Sequence, residues 1–305
     1  MAIFLTLVLK LIPLYVYMAL GYLAGKFLSV KKESIAPLLL FVIGPVITFN
    51  SVATTEINFA NLSLPMLFFI LASFICLGFY FISKLFWSDN NRNILAFSAG
   101  MGNTGYFGLP VAIALFNSNQ VDLLVLAILG VVLFENTIGF LIVARGTHTL
   151  KESLSKVIRL PALYAFGLGL IANLAQIQFN QIYADSIINF RGAFTILGMM
   201  LIGLGMSSIK EFKFDFKFIS LAFIAKFLVW PSLILGIIGL DKVWLNLYAP
   251  DVQKVMILIA IVPLAANTVA YATEFKSQPE KMSLAVLIST LFALFFIPLI
   301  TTNFF

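Results

Sequence analysis

Two Asn-Thr pairs, Asn103-Thr104 and Asn267-Thr268, interrupt apolar stretches: SAGMGNTGYFGLP (98–110) and MILIAIVPLAANTVAYATEF (256–275). Amides and hydroxyls there can donate hydrogen bonds without carrying charge. The surrounding residues break helices: Gly100, Gly102, Gly105, Gly108 and Pro110 in the first stretch, Pro263 in the second. Neither Gly nor Pro supports a regular helix. A helix that restarts at such a break presents unpaired N–H groups and a dipole end of about +0.5 charge. Two facing ends supply about +1 without Lys or Arg, which suits a carboxylate. The expectation is that both asparagines donate to a substrate carboxylate and cap the freed backbone. The alternative is that they only tie the two breaks together, and both roles can hold at once.

Other polar residues stand in apolar surroundings. Glu135, in VVLFENTIGF, lies well inside a run. A charged carboxylate in a bilayer costs ~2.5 kcal/mol or more, so it must be protonated, paired or facing a water-filled cavity. It is expected to line the site or carry a coupling proton; the alternative is a structural pair. Thr48, three residues after Pro45, and Asn50 are candidate contacts from a neighbouring span. Tyr271, four residues after Asn267, either closes over a substrate or packs in the core. Lys226, in AKFLVWP, is expected to pair inside the protein, its stem free to snorkel, and Lys10 is expected to snorkel. The single Cys76 and single His148 allow no disulfide and no metal cluster, so no metal or cofactor is expected.

These groups need a scaffold, and composition says what kind. The 305 residues are 61% hydrophobic and 10% charged, far below the roughly 25% charge of a soluble domain. The solvent of this chain is lipid. A net charge of +6 then reads as basic loops on the cytoplasmic side rather than as a nucleic-acid surface. The first apolar stretch is too long for a signal-peptide core and reads as a true span. Runs of about 20 apolar residues predict ten spans, at 5–25, 34–54, 63–84, 92–116, 122–144, 158–175, 187–207, 217–239, 252–274 and 281–302. Fourteen of the 19 Lys and Arg fall in the odd-numbered loops, and only Arg191, Lys242 and Lys254 in the even-numbered ones. The odd loops are therefore expected in the cytoplasm and both termini outside.

Five spans precede the basic loop 145–157 and five follow, which predicts two inverted repeats, 1–144 and 158–305. IPLYVYMALGYLAG (12–25) aligns with LPALYAFGLGLIAN (160–173), pairing Pro13 with Pro161, Gly21 with Gly169 and Ala24 with Ala172. The Asn-Thr pairs recur in spans 4 and 9. Breaks at matched positions of two inverted halves are the best sequence pointer to a transporter's binding site.

GNTGYFGLP, PLAANTVAY and FVIGPVITF, with Pro45 at the centre of the last, resemble the auxin efflux carrier family, whose members include plant auxin exporters and compact bacterial malate or malonate permeases. The resemblance covers essentially the whole chain. It implies an all-α membrane fold like that of the bile-acid sodium symporters and related sodium–proton antiporters. Spans 1, 2, 6 and 7 would form a scaffold, spans 3–5 and 8–10 a transport domain, and broken spans 4 and 9 would cross at the site. Asn103 and Asn267 would sit beside the substrate carboxylate, and Pro45 would bend span 2. The chain departs from the pattern at Gly198-Met199, where the partner of Gly44-Pro45 lacks the proline. The short loop 145–157 matches the compact bacterial form. A homodimer is implied by the resemblance alone.

The function expected is a secondary carrier of small mono- or dicarboxylates across the cytoplasmic membrane. The rival is a sodium–proton antiporter or sodium-coupled symporter on the same architecture. Such antiporters use ionised aspartates beside the crossing, and no acid precedes either Asn within seven residues. An intramembrane enzyme is disfavoured, since the chain has no HExxH, GxGD or DDxxD motif.

Overall fold

The computed structural model describes residues 2–89, 91–144, 158–207 and 213–304. The loop 145–157, with His148 and three of the expected loop cations, lies outside the described residues, as does Lys210. The described residues are helical and contain no strand. The helices are α1 (Ala2–Phe27), α2 (Lys32–Thr54), α3 (Phe59–Ser83), α4 (Asn91–Gly100), α5 (Leu109–Leu115), α6 (Ser118–Val143), α7 (Pro161–Leu174), α8 (Gln181–Ser207), α9 (Phe216–Trp244), α10 (Pro250–Ile261), α11 (Asn267–Glu274) and α12 (Pro279–Phe304).

Seven of these, α1, α2, α3, α6, α8, α9 and α12, are long and apolar enough to cross a bilayer, so this is a multi-pass membrane protein. Helix α7 is apolar but only 14 residues long. The remaining two expected spans are each a pair of short helices, α4 with α5 and α10 with α11, interrupted where the Gly and Pro residues stand. Large apolar side chains such as Phe59, Phe74 and Phe81 on α3 are exposed, as lipid-facing residues are.

Glycines let several helix pairs approach closely, among them two that the sequence alignment relates. A Cβ on Gly21 of α1 would overlap the Met200 carbonyl of α8, and one on Gly203 of α8 would overlap the Met18 carbonyl of α1. On the second pair, a Cβ on Gly169 of α7 would lie 2.7 Å from the Phe49 carbonyl of α2. Small residues let helix backbones touch where burial in lipid gives no hydrophobic drive. Asn173, near the end of α7, closes the second pair by donating to the Val52, Ala53 and Thr55 carbonyls at 3.0, 3.0 and 2.7 Å.

Four turns among the described residues are wider than α-helical, with i→i+5 bonding: Leu39–Ile43, Thr104–Gly108, Glu135–Gly139 and Ile224–Val229. Three of them run directly into a Pro-containing turn, at Pro45, Pro110 and Pro231. A proline removes a donor and displaces the preceding turn, which a wide turn absorbs. Helix α2 thereby stays continuous through Pro45. The turn at Glu135 has no proline; there Asn136 and Thr137 donate back to the Val132 and Leu133 carbonyls at 2.9 and 2.6 Å.

Candidate functional site

Helix α4 ends at Gly100, and the backbone is non-helical from Met101 to Asn103. Helix α10 ends at Ile261, and α11 begins at Asn267. The two interruptions touch: the Asn103 N–H donates to the Pro263 carbonyl at 2.8 Å. Gly102 permits the approach, since a Cβ there would sit 2.6 Å from Lys226 Nζ and 2.9 Å from Val262 Cγ2. A Cβ on Gly108 would lie 3.2 Å from Val262 Cγ1, and one on Gly100 would lie 2.7 Å from the Ala72 carbonyl. Gly105 differs, because nothing lies within 4 Å of its Cβ position. It faces open space.

Backbone groups freed at such a depth must find partners. Thr104 N–H reaches the Gly102 carbonyl and Gly108 N–H the Asn103 carbonyl, both at 2.8 Å. Leu264 N–H donates to Ser289 Oγ of α12 at 3.2 Å. Two residues of α9, four apart, serve the two helix C-termini. Trp230 Nε1 donates to the Ala99 carbonyl of α4 at 2.8 Å, and Lys226 Nζ to the Ile259 carbonyl of α10 at 3.2 Å. The ammonium also lies 4.7 Å from the centre of the Trp230 ring. Lys226 is fully buried, so it does not snorkel, and its partners are a carbonyl and a ring rather than a carboxylate. Cations stabilise helix C-terminal ends, where the dipole is negative.

A cavity of about 490 Å³ lies against this meeting point. Asn103, Thr104, Gly105, Glu135, Asn267 and Tyr271 line it, with Gly102 and, from α2, Thr48. Asn50 and Thr268 do not line it. The Asn50 carbonyl accepts from Thr54 Oγ1 at 2.9 Å, and the buried Thr268 hydroxyl donates to Ala265 at 2.5 Å. Gly100, Gly108, Pro45, Pro110 and Pro263 frame the cavity without lining it. Tyr271 does both things open to it, lining the cavity and packing edge-on to Phe97 at 4.8 Å.

Neither asparagine caps a helix with its side chain, contrary to expectation. Asn267 Nδ2 donates to Glu135 Oε1 at 3.1 Å. Asn103 Nδ2 is buried with no hydrogen-bond partner at all. Such an orphan donor costs about 1–3 kcal/mol. Among the described residues no Lys, Arg or His lines the cavity; its ionisable lining is Glu135, Glu274 and two tyrosines, Tyr106 and Tyr271. No group of three or more His, Cys, Asp or Glu among the described residues could hold a metal.

A family model described as membrane transport protein matches residues 6–301. The chain belongs to that family, the auxin efflux carriers. It is also similar to an uncharacterized transporter, MJ1031, of Methanocaldococcus jannaschii, with 26% identity over 250 residues, covering 78% of this chain and 77% of the relative. The chain is thus a membrane transporter.

One polar cluster of this transporter escaped the sequence reading. Arg191 is not a loop residue but lies inside α8, where its Nη2 pairs with the Asp122 carboxylate of α6. Ser51 Oγ of α2 donates to the same carboxylate at 2.5 Å, and Thr54 Oγ1 at 3.3 Å. The signal was present: one Asp in VDLLVL and one Arg in INFRGAF, each within an apolar run.

Proposed function

We propose that this transporter is a secondary carrier of small organic anions, holding a substrate carboxylate where the two interrupted helices meet. The observation that carries the reading is the Asn103 amide, buried at the cavity without a partner. Native proteins seldom leave a buried donor unpaired, and an incoming carboxylate supplies what it lacks. The onset of helix at Thr104 and at Asn267 beside the same cavity adds two dipole ends of the sign an anion needs.

Ten passes in two inverted repeats fit the packing. Residues 12–25 and 160–173 align in sequence, and their matched glycines do the same work: Gly21 seats α1 on α8, and Gly169 seats α7 on α2. Exchanging the halves turns one pair into the other. That symmetry supports a scaffold of α1, α2, α7 and α8, with the interrupted helices belonging to a mobile transport domain. The cavity reaches Pro161 and Glu274, at helix ends that join odd-numbered loops. With those loops in the cytoplasm and both termini outside, the cavity opens inward. The Asp122–Arg191–Ser51 cluster then lies on the closed, outer side, linking α6 to the scaffold.

The test uses proteoliposomes offered malate, malonate, succinate, lactate and indole-3-acetate. Capacitive currents on a solid-supported membrane and radiolabelled counterflow are both recorded, with and without sodium or pH gradients. Saturable, anion-dependent transport that disappears in Asn103→Ala with Asn267→Ala supports the reading. Currents driven by sodium or pH gradients alone, indifferent to every anion, would refute it.

A further inference from the structure

The Asn267 amide is already engaged: its Nδ2 lies 3.1 Å from Glu135 Oε1. An internal carboxylate therefore occupies the place a substrate carboxylate would take. Glu135 is half-buried and lines the same cavity as the unpartnered Asn103 amide. Among the described residues no cation lines the cavity beside it. From α11 come Tyr271 and Glu274, and from the segment after the first interruption Tyr106. Helix α3, packed against the turn at Glu135, has no Asp, Glu, Lys, Arg or His. The two buried cations of neighbouring helices are engaged elsewhere, Lys226 with the Ile259 carbonyl and Arg191 with Asp122. Two carboxylates sharing one site without a counter-cation do not both stay ionised.

We propose that Glu135 is an internal competitor for the substrate carboxylate, and that an anion binds at Asn267 only as Glu135 takes up a proton. This rests on the carrier reading above and adds its coupling ion. The proton comes from the solution facing the open cavity. It stays on the Glu135 carboxyl while the anion holds the amides, and returns to solution when the anion leaves. One proton then moves with each anion. A monocarboxylate crosses without net charge, and a dicarboxylate carries one negative charge rather than two.

The experiment is calorimetric titration of the purified protein with each of the same five anions. It is run above about pH 7, where free carboxylates are ionised, in two buffers of different ionisation enthalpy. The expected result is one proton taken up per anion bound and an affinity falling toward tenfold per pH unit. Glu135→Gln imitates the protonated carboxyl. It should bind with no proton uptake and a flat pH profile, and should convert net lactate uptake from electroneutral to current-carrying. The wild-type proton count stands without the variant, so a misfolded Glu135→Gln does not disable the test. Anion binding with no proton uptake and no pH slope would overturn this proposal and leave the carrier reading intact. An absence of binding and transport for all five anions would overturn both.

Discussion

Asp122→Asn removes one charge from a nearly closed pair and leaves the other in place. The Asp122 and Arg191 side chains are 7% and 11% exposed. Asparagine keeps the size and can still accept from Ser51, so the perturbation is chiefly loss of charge. Arg191 cannot recover it locally, because its Nε is already buried without a partner. Breaking a buried pair from one side costs about 3–5 kcal/mol, and slight exposure favours the lower end, about 3 kcal/mol. In melting temperature that is a fall of roughly 5–10 °C. The assay is thermal unfolding in detergent, followed by fluorescence-detected gel filtration. Replacing both charges, Asp122→Leu with Arg191→Met, leaves no buried charge unpaired and should recover to within about 1 kcal/mol of wild type. An Asp122→Asn protein melting within about a degree of wild type would refute the argument, and so would a double variant no more stable than the single one.

Further outcomes follow from the same geometry. Asn103→Ala should abolish anion transport while leaving ligand-free stability unchanged or slightly raised, because the amide it removes is unpaired; melting curves and counterflow on one preparation check this. Gly203→Ala drives a methyl into the Met18 carbonyl and should cost about 1–3 kcal/mol, whereas Gly205→Ala, with nothing within 4 Å, should be neutral or gain up to about 1 kcal/mol of helix propensity, both read as melting shifts. Asp215 is partly desolvated, which raises its pKa, but Lys281 Nζ at 2.8 Å and the Phe218 and Lys217 amides outweigh this and hold it below the usual carboxylate range. Its contribution to stability is therefore complete above about pH 3.9 and fades as pH falls through the lowered value; Lys281→Met should weaken that acid dependence in melts recorded across the range.

Run lengths of apolar residues located the helical segments, most ends to within four residues, because span length is set by bilayer thickness; α8 begins six residues before its expected start and α9 ends five after its expected end. The two interruptions were legible for the same kind of reason, since Gly100, Gly102 and Pro263 have no place in a regular helix. Partners across helices were not legible. Helices that are apolar all round carry no periodic signal of which face meets which neighbour. Hence Asn267 read as a cap when its amide goes to Glu135, Arg191 read as a loop cation when it lies inside α8, and Lys226 read as a residue paired inside the protein with no partner named, when it holds the Ile259 carbonyl. The wide turns were half legible. Proline marks three of them, while the fourth, at Glu135, depends on side-chain bonds from Asn136 and Thr137 that no spacing rule announces.

Trp230 and Lys226 hold α4 and α10 from one helix, and the Asn103–Pro263 backbone bond joins the two interruptions, so the separation of Asn103 and Asn267 is set by the protein and not by whatever fills the cavity. A yoke of this kind lets the binding groups travel together without changing their spacing. On the carrier reading proposed above, a site carried unaltered from one face of the membrane to the other would grip its solute equally on both. Such a protein would contain no arrow: the gradients of solute and coupling ion would choose the direction, and the same molecule would import under one set of conditions and export under another.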